Sequence, residues 1–176
     1  MREVVRPQLN KKDIAYATES SELRPFFKYD VKIESFAQII ADKQKENVNR
    51  EVLVNTLLEQ YKTFDTAQKV LDNINALGLE TTFTVTTAHQ PSLFTGPLYY
   101  IFKIISTIRL TEDLKAHYPD YNFVPVFVSG AEDHDFEEIQ YATIFGKKIL
   151  WENNESGSVG MMNTDSLSTP LEALKS

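Results

Sequence analysis

Two short stretches carry the residue types best suited to chemistry. The first is AHQPSLFTGPLYYIFK, from Ala88 to Lys103. His89 and Gln90 can donate hydrogen bonds to an anion there, and Gly96 lets a ligand approach the backbone. Thr95 suits a helix cap or a ligand contact. A helix opening at Pro97 would aim free N–H groups and the positive end of its dipole at the same point, which favours a phosphate. A plain strand-to-helix turn with a surface histidine accounts for the same residues. Lys103 lies two turns into that helix and reads either as a ligand contact or as a side chain whose stem lies along apolar surface. Neither GxxxxGK[ST] nor GxGxxG occurs, so there is no P-loop and no dinucleotide fingerprint.

The second stretch, EDHDFEE from Glu132 to Glu138, places five carboxylates in seven residues. Such crowding costs electrostatic energy unless something offsets it. Water at a solvated helix start is one offset. A Mg²⁺ ion, an amine or a hydroxyl-rich ligand are others. Glu132, Asp133, His134 and Asp135 are the candidates, and at least two of them are expected to share a crevice with His89.

The elements that must position these loops follow from periodicity. TTFTVTTAH reads as a buried β-branched strand, and NFVPVFVSG as a second, with Pro125 needing an edge or a bulge. Between them, a helix from Pro97 to about His117 places proline at its first position. Its apolar face comprises Leu98, Ile101, Phe102, Ile105 and Ile108. Strand, helix, strand implies a right-handed βαβ unit with parallel strands. Ligands bind at the carboxyl ends of such strands, where both loops emerge.

Upstream, Asn49 to Leu77 reads as two helices forming a core-packing arm. Asn49 is the candidate N-cap, and Gly78 is expected in a left-handed position past the end. Ser35 is expected to cap a short helix running to Lys43, and Arg24-Pro25 to mark a break. ATIFGKKILWEN reads as a hairpin turning near Gly146-Lys147. The expected organisation is an N-terminal helical region over 1–78 and the first part of an α/β core over 79–176.

With 176 residues, 42% apolar and 24% charged, the chain has an ordinary globular composition. A net charge of −7 argues against a general nucleic-acid or membrane-surface binder. Lacking cysteine, it offers no disulfide and no thiolate metal site. No secretory signal pattern and no long apolar span is visible, so a cytoplasmic location is the expectation.

VTTAHQPSLFTGPLYYIFKIISTIRL, followed after thirteen residues by VPVFVSGAEDHDFEEI, resembles BshC, the family of cysteine-adding ligases of bacillithiol biosynthesis. SVGMM resembles the family's glycine-containing segment. One departure stands at Ala88, where family members usually carry glycine. A methyl group at that turn would restrict approach to a ligand.

The resemblance implies a Rossmann-like, nucleotidyltransferase-type core and addition of L-cysteine to glucosaminyl-malate. It also implies ATP-dependent activation of the cysteine carboxylate, with a Mg²⁺ ion as an accompaniment. By that analogy His89, Gln90, Thr95, Gly96 and Lys103 face the nucleotide, and Glu132, Asp133 and Asp135 the substrates. His89, Asp133, His134 and Asp135 form the catalytic set, with no fixed protein metal site. Family members are much longer and carry a C-terminal coiled coil through which they would pair. The chain thus reads as an N-terminal piece, inactive alone. A binding module for a nucleotide or sugar acid, or an assembly element, are the other readings.

Overall fold

A computed structural model describes residues 10–175. They divide between Asn49 and Arg50 into two compact units.

The first unit holds helices α1 (Lys11–Ala17) and α2 (Phe36–Lys43). Asn10 caps α1 by accepting from the Asp13 N–H at 2.9 Å. Ser35 stands before α2 as expected, but its side chain caps nothing, because a 3₁₀ turn over Ile33–Ser35 already leads the backbone into the helix. Arg24-Pro25 does not break the chain either. A 3₁₀ segment, Ser21–Phe26, runs through it, with Pro25 inside the segment and the Phe27 N–H reaching Arg24 O. Asp42 ties this unit together, accepting from the Tyr29 hydroxyl at 2.7 Å and pairing with Lys28 and Lys45 at 2.9 and 2.8 Å. These donors, Lys45 first, hold its carboxyl far below the ordinary range.

The second unit begins with α3 (Arg50–Tyr61) and α4 (Gln68–Ala76). The packing expected of both is carried by α4, which buries Ile74 and leads into buried Leu77, whereas α3 buries no residue. Gly78 is not left-handed. The helix ends by tightening instead, with the Gly78 N–H reaching Asn75 O and the Leu79 N–H reaching Ala76 O.

Strand β1 (Thr82–His89), helix α5 (Leu98–His117) and strand β2 (Asn122–Ser129) follow. β1 and β2 pair in parallel from Thr82 opposite Asn122 to His89 opposite Ser129, as the strand-helix-strand order requires. Pro125, opposite Val85, is tolerated because the other edge of β2 is unpaired among the described residues.

The face of α5 that meets the sheet is not the expected one. Thr107, Thr111 and Leu114 are buried, while Leu98, Ile101, Phe102, Ile105 and Ile108 are exposed, Leu98 by 66%. The threonines can face inward because each hydroxyl bonds back to its own helix, Thr107 to Lys103 O at 2.8 Å and Thr111 to Ile108 O at 2.6 Å. Small side chains bring the helix close to the sheet. The apolar row, by contrast, ends at Ile108 and gives way to Arg109 and Glu112. Pro97 is the N-cap with extended backbone, one position earlier than expected.

Short helix α6 (Phe136–Ile139) leads into an antiparallel hairpin, β3 (Tyr141–Ile144) and β4 (Lys147–Leu150). Its turn residues are Phe145 and Gly146, both at positive φ, one position before the expected pair. Helix α7 (Ser168–Lys175) closes the described chain. Leu93, Ile139, Ile149, Trp151, Val159 and Met162 form one buried cluster. That cluster joins the loop after β1 to α6, the hairpin and the SVGMM segment. No helix among the described residues is long and apolar enough to cross a membrane.

Candidate functional site

Parallel pairing brings the two chemical loops to one end of the sheet. His89 and Ser129 are register partners, and the Gly130 N–H donates to His89 O at 2.9 Å. Beyond His89 the backbone turns tightly. Phe94, Thr95 and Gly96 take φ of 49°, 68° and 59° in succession. Gly96 also has ψ of −150°, a region essentially reserved for glycine. A Cβ there would lie 2.7 Å from Ser92 Cβ. The glycine is thus required by the turn itself, whatever approaches it.

A cleft of about 530 Å³ opens at this point. It is lined by His89, by Gly96 to Tyr99 at the start of α5, by Glu138, and by Tyr141 to Thr143 of β3. Within the helix, the Leu98 and Tyr99 N–H groups have no acceptor, as in any first turn. The cleft therefore sets polarised N–H groups on one side and a carboxylate on the other.

His89 is held on both ring nitrogens. Nδ1 lies 3.0 Å from Gln90 O, and Nε2 lies 2.8 Å from the Tyr99 hydroxyl. Tyr99 and Tyr100 flank the ring at centroid distances of 5.3 and 5.1 Å. Burial pushes the Tyr100 hydroxyl up from its ordinary pKa.

Lys103 is exposed, but its ammonium group has partners on the protein. Its Nζ donates to Ala88 O at 3.3 Å and sits 5.4 Å from the centre of the Tyr99 ring. Ala88 itself is in β1, opposite Val128, so its methyl stands on the strand and not in the turn. Thr95 is exposed and lies outside the lining of the cleft.

The acidic stretch divides in two. Glu138 enters the cleft, and Gln90 Nε2 donates to its Oε2 at 3.1 Å, bridging the loops. None of Glu132, Asp133, His134 and Asp135 lines that cleft, so the expectation for two of them is not met. The reason is local: they precede α6 as an Asx turn, with Asp133 Oδ1 accepting the Asp135 N–H at 3.0 Å. That N–H is the leading cause of a depressed Asp133 pKa, with His134 and the Gln90 amide adding to it and burial opposing. The His134 side chain is 88% exposed, its Nδ1 4.0 Å from Asp133.

The SVGMM segment clamps this turn from outside. The Val159 N–H donates to Asp133 O at 2.7 Å, the Gly160 N–H to Ala131 O at 2.8 Å, and Ser158 Oγ to Ala131 O at 2.5 Å. A Cβ on Gly160 would lie 2.6 Å from the Ala131 Cβ.

Sequence reasoning missed Tyr99, Glu138, Tyr141 and Thr143. Glu138 lay inside the acidic run. The position of Tyr99 next to a helix start was a usable signal, whereas nothing in the hairpin sequence marked Tyr141 or Thr143. Among the described residues, no group of three or more His, Asp or Glu is placed to hold a metal ion.

Residues 3–176 match the family model described as "Bacillithiol biosynthesis BshC, N-terminal Rossmann-like domain". The chain belongs to the BshC family. Its α/β architecture is accordingly the Rossmann-like domain of that family. Among curated relatives, a protein of Flavobacterium johnsoniae named "Putative cysteine ligase BshC" is 46% identical over 159 residues, covering 89% of this chain and 30% of the relative. Proteins of the same name from Cytophaga hutchinsonii and Bacillus thuringiensis are 40% and 34% identical, covering 96% and 77% of this chain. The chain thus spans about a third or less of these BshC relatives, 32% and 25% of the latter two.

Proposed function

We propose that this chain forms the first part of the nucleotide-binding core, residues 79–176, of a cysteine-adding ligase of bacillithiol biosynthesis. The reaction would join L-cysteine to glucosaminyl-malate after ATP-dependent activation of the cysteine carboxylate. A carboxylate is a poor acylating group because its oxygen leaves badly. Phosphorylation or adenylation makes that oxygen a good leaving group, and the glucosamine amine then forms the amide bond.

The observation that carries this reading is the cleft at the carboxyl ends of two parallel strands, where His89 meets the N-terminus of α5. In it, His89, Gln90, Gly96 and the first N–H groups of α5 would receive the nucleotide phosphates, with Thr95 at the rim and Lys103 behind the Tyr99 ring. Asp133, kept ionised, together with Glu132 and Asp135 would meet the amine-bearing substrates. His134 would relay a proton. The exposure of Glu132, His134 and Asp135 suits a surface completed by more of the protein. A Mg²⁺ ion would enter with the phosphates, as it commonly does, and not through a preformed protein cage. We further propose a cytoplasmic enzyme that pairs through a coiled coil beyond residue 176.

His89→Ala in a full-length protein carrying this sequence tests the reading. Turnover should fall at least about tenfold, equivalent to roughly 1.4 kcal/mol. Unchanged kinetics would remove His89 from the site.

A further inference from the structure

The two hydrogen bonds of His89 determine where its proton is. Gln90 O is a carbonyl and can only accept, so the nitrogen 3.0 Å away, Nδ1, carries the hydrogen. In a neutral ring Nε2 then has only a lone pair. The Tyr99 hydroxyl 2.8 Å away must donate to it. Tyr99 is itself held in place. Lys103 Nζ lies 5.4 Å from the centre of its ring, anchored on Ala88 O, and the ring packs on the imidazole.

We propose that the Gln90 carbonyl locks His89 as the Nδ1–H tautomer and that Tyr99 is a positioning residue whose hydroxyl holds the Nε2 acceptor until a ligand in the cleft replaces it. The inference rests on the nucleotide reading for its consequence, though not for its geometry. A ligand hydroxyl or ammonium can take the place of the Tyr99 hydroxyl on Nε2 directly. A phosphate oxygen can be held there only after the hydroxyl moves aside and the ring gains a proton at Nε2. Of the charged groups around the pair, Lys103 of α5 lies over the Tyr99 ring and Glu138 of α6 lines the same cleft. Neither is a partner of the ring nitrogens, which are occupied by Gln90 O and Tyr99. Tyr99 thereby selects what His89 can greet first.

The test is ¹⁵N NMR of the imidazoles in this chain, with the three histidines assigned by His89→Gln, His117→Gln and His134→Gln. Above the titration range, wild-type His89 should show a protonated Nδ1 and an unprotonated Nε2, unlike exposed His134. Tyr99→Phe keeps the ring but removes the donor, so its His89 should keep Nδ1–H while its Nε2 resonance moves away from the hydrogen-bonded position and the backbone amide spectrum elsewhere stays superimposable. A wild-type His89 protonated at Nε2 would overturn the proposal. So would a Tyr99→Phe variant whose Nε2 resonance is unchanged from wild type, since the hydroxyl would then not be its donor. Titrating the wild type with Mg²⁺–ATP separates the two ideas. No perturbation around the cleft would sink the nucleotide reading while the tautomer result stands by itself.

Discussion

Gly96→Ala should destabilise the second unit by about 2–4 kcal/mol. Two costs combine. At φ 59° and ψ −150° an alanine occupies backbone space that costs of order 1–3 kcal/mol. Its methyl would also meet Ser92 Cβ at 2.7 Å, where real contacts essentially never lie, and forced overpacking typically costs about 1–3 kcal/mol. Partial relaxation keeps the total below the sum of the upper limits. Trp151 gives the assay. It is the chain's single tryptophan, buried in the cluster that includes Leu93 of the same loop. Urea unfolding followed by its fluorescence therefore reports the second unit. Adding Ser92→Gly divides the two costs. The double variant should recover the contact portion and leave the backbone portion. A Gly96→Ala midpoint within about 0.5 kcal/mol of the parent, the usual range for an unremarkable surface change, would refute the reasoning.

Thr82 is 2% exposed and its Oγ1 has no hydrogen-bond partner, so Thr82→Val should raise stability by about 1 kcal/mol in the same urea assay. Leu114→Ala should cost about 2–5 kcal/mol, whereas Ile105→Ala on the exposed row of α5 should cost well under 1 kcal/mol. An Ile105→Ala cost as large as that of Leu114→Ala would mean that the row read as exposed is packed. Asp133 has a pKa depressed below the ordinary 3.8, so its stabilising contribution is complete above that value and is lost as the pH falls through the lowered one. Asp133→Asn should remove that part of the acid sensitivity, read as a flatter dependence of the urea midpoint on pH.

The backbone plan was legible because its signals are local. β-branched runs bounded by turn residues gave both strands, and the intervening helix length left only a parallel crossover. The hairpin was visible from its alternation and its glycine, to within one position. The failures share a different cause. Apolar content made the row from Leu98 to Ile108 look like the inner face of α5, but threonines that bond back to their own helix pack closer to the sheet. Gly78 and Pro25 looked like breakers because their usual roles were assumed, while 3₁₀ geometry absorbed both. The lining of the cleft depends on how the hairpin packs against the first loop through Leu93, Trp151 and Val159. That contact joins residues more than fifty positions apart, and no periodicity encodes it. Tyr141 and Thr143 were therefore invisible as site residues, while His89 and Gly96 were visible from their place at a strand end and a helix start.

The most direct measurement is an amide NMR titration of this chain with Mg²⁺–ATP. The expected result is saturable shifts concentrated at Gly96, Leu98 and Tyr99, accompanied by the His89 ring, and lost in His89→Ala. Shifts that map elsewhere, or none at millimolar nucleotide, would contradict the assignment of this cleft to the nucleotide.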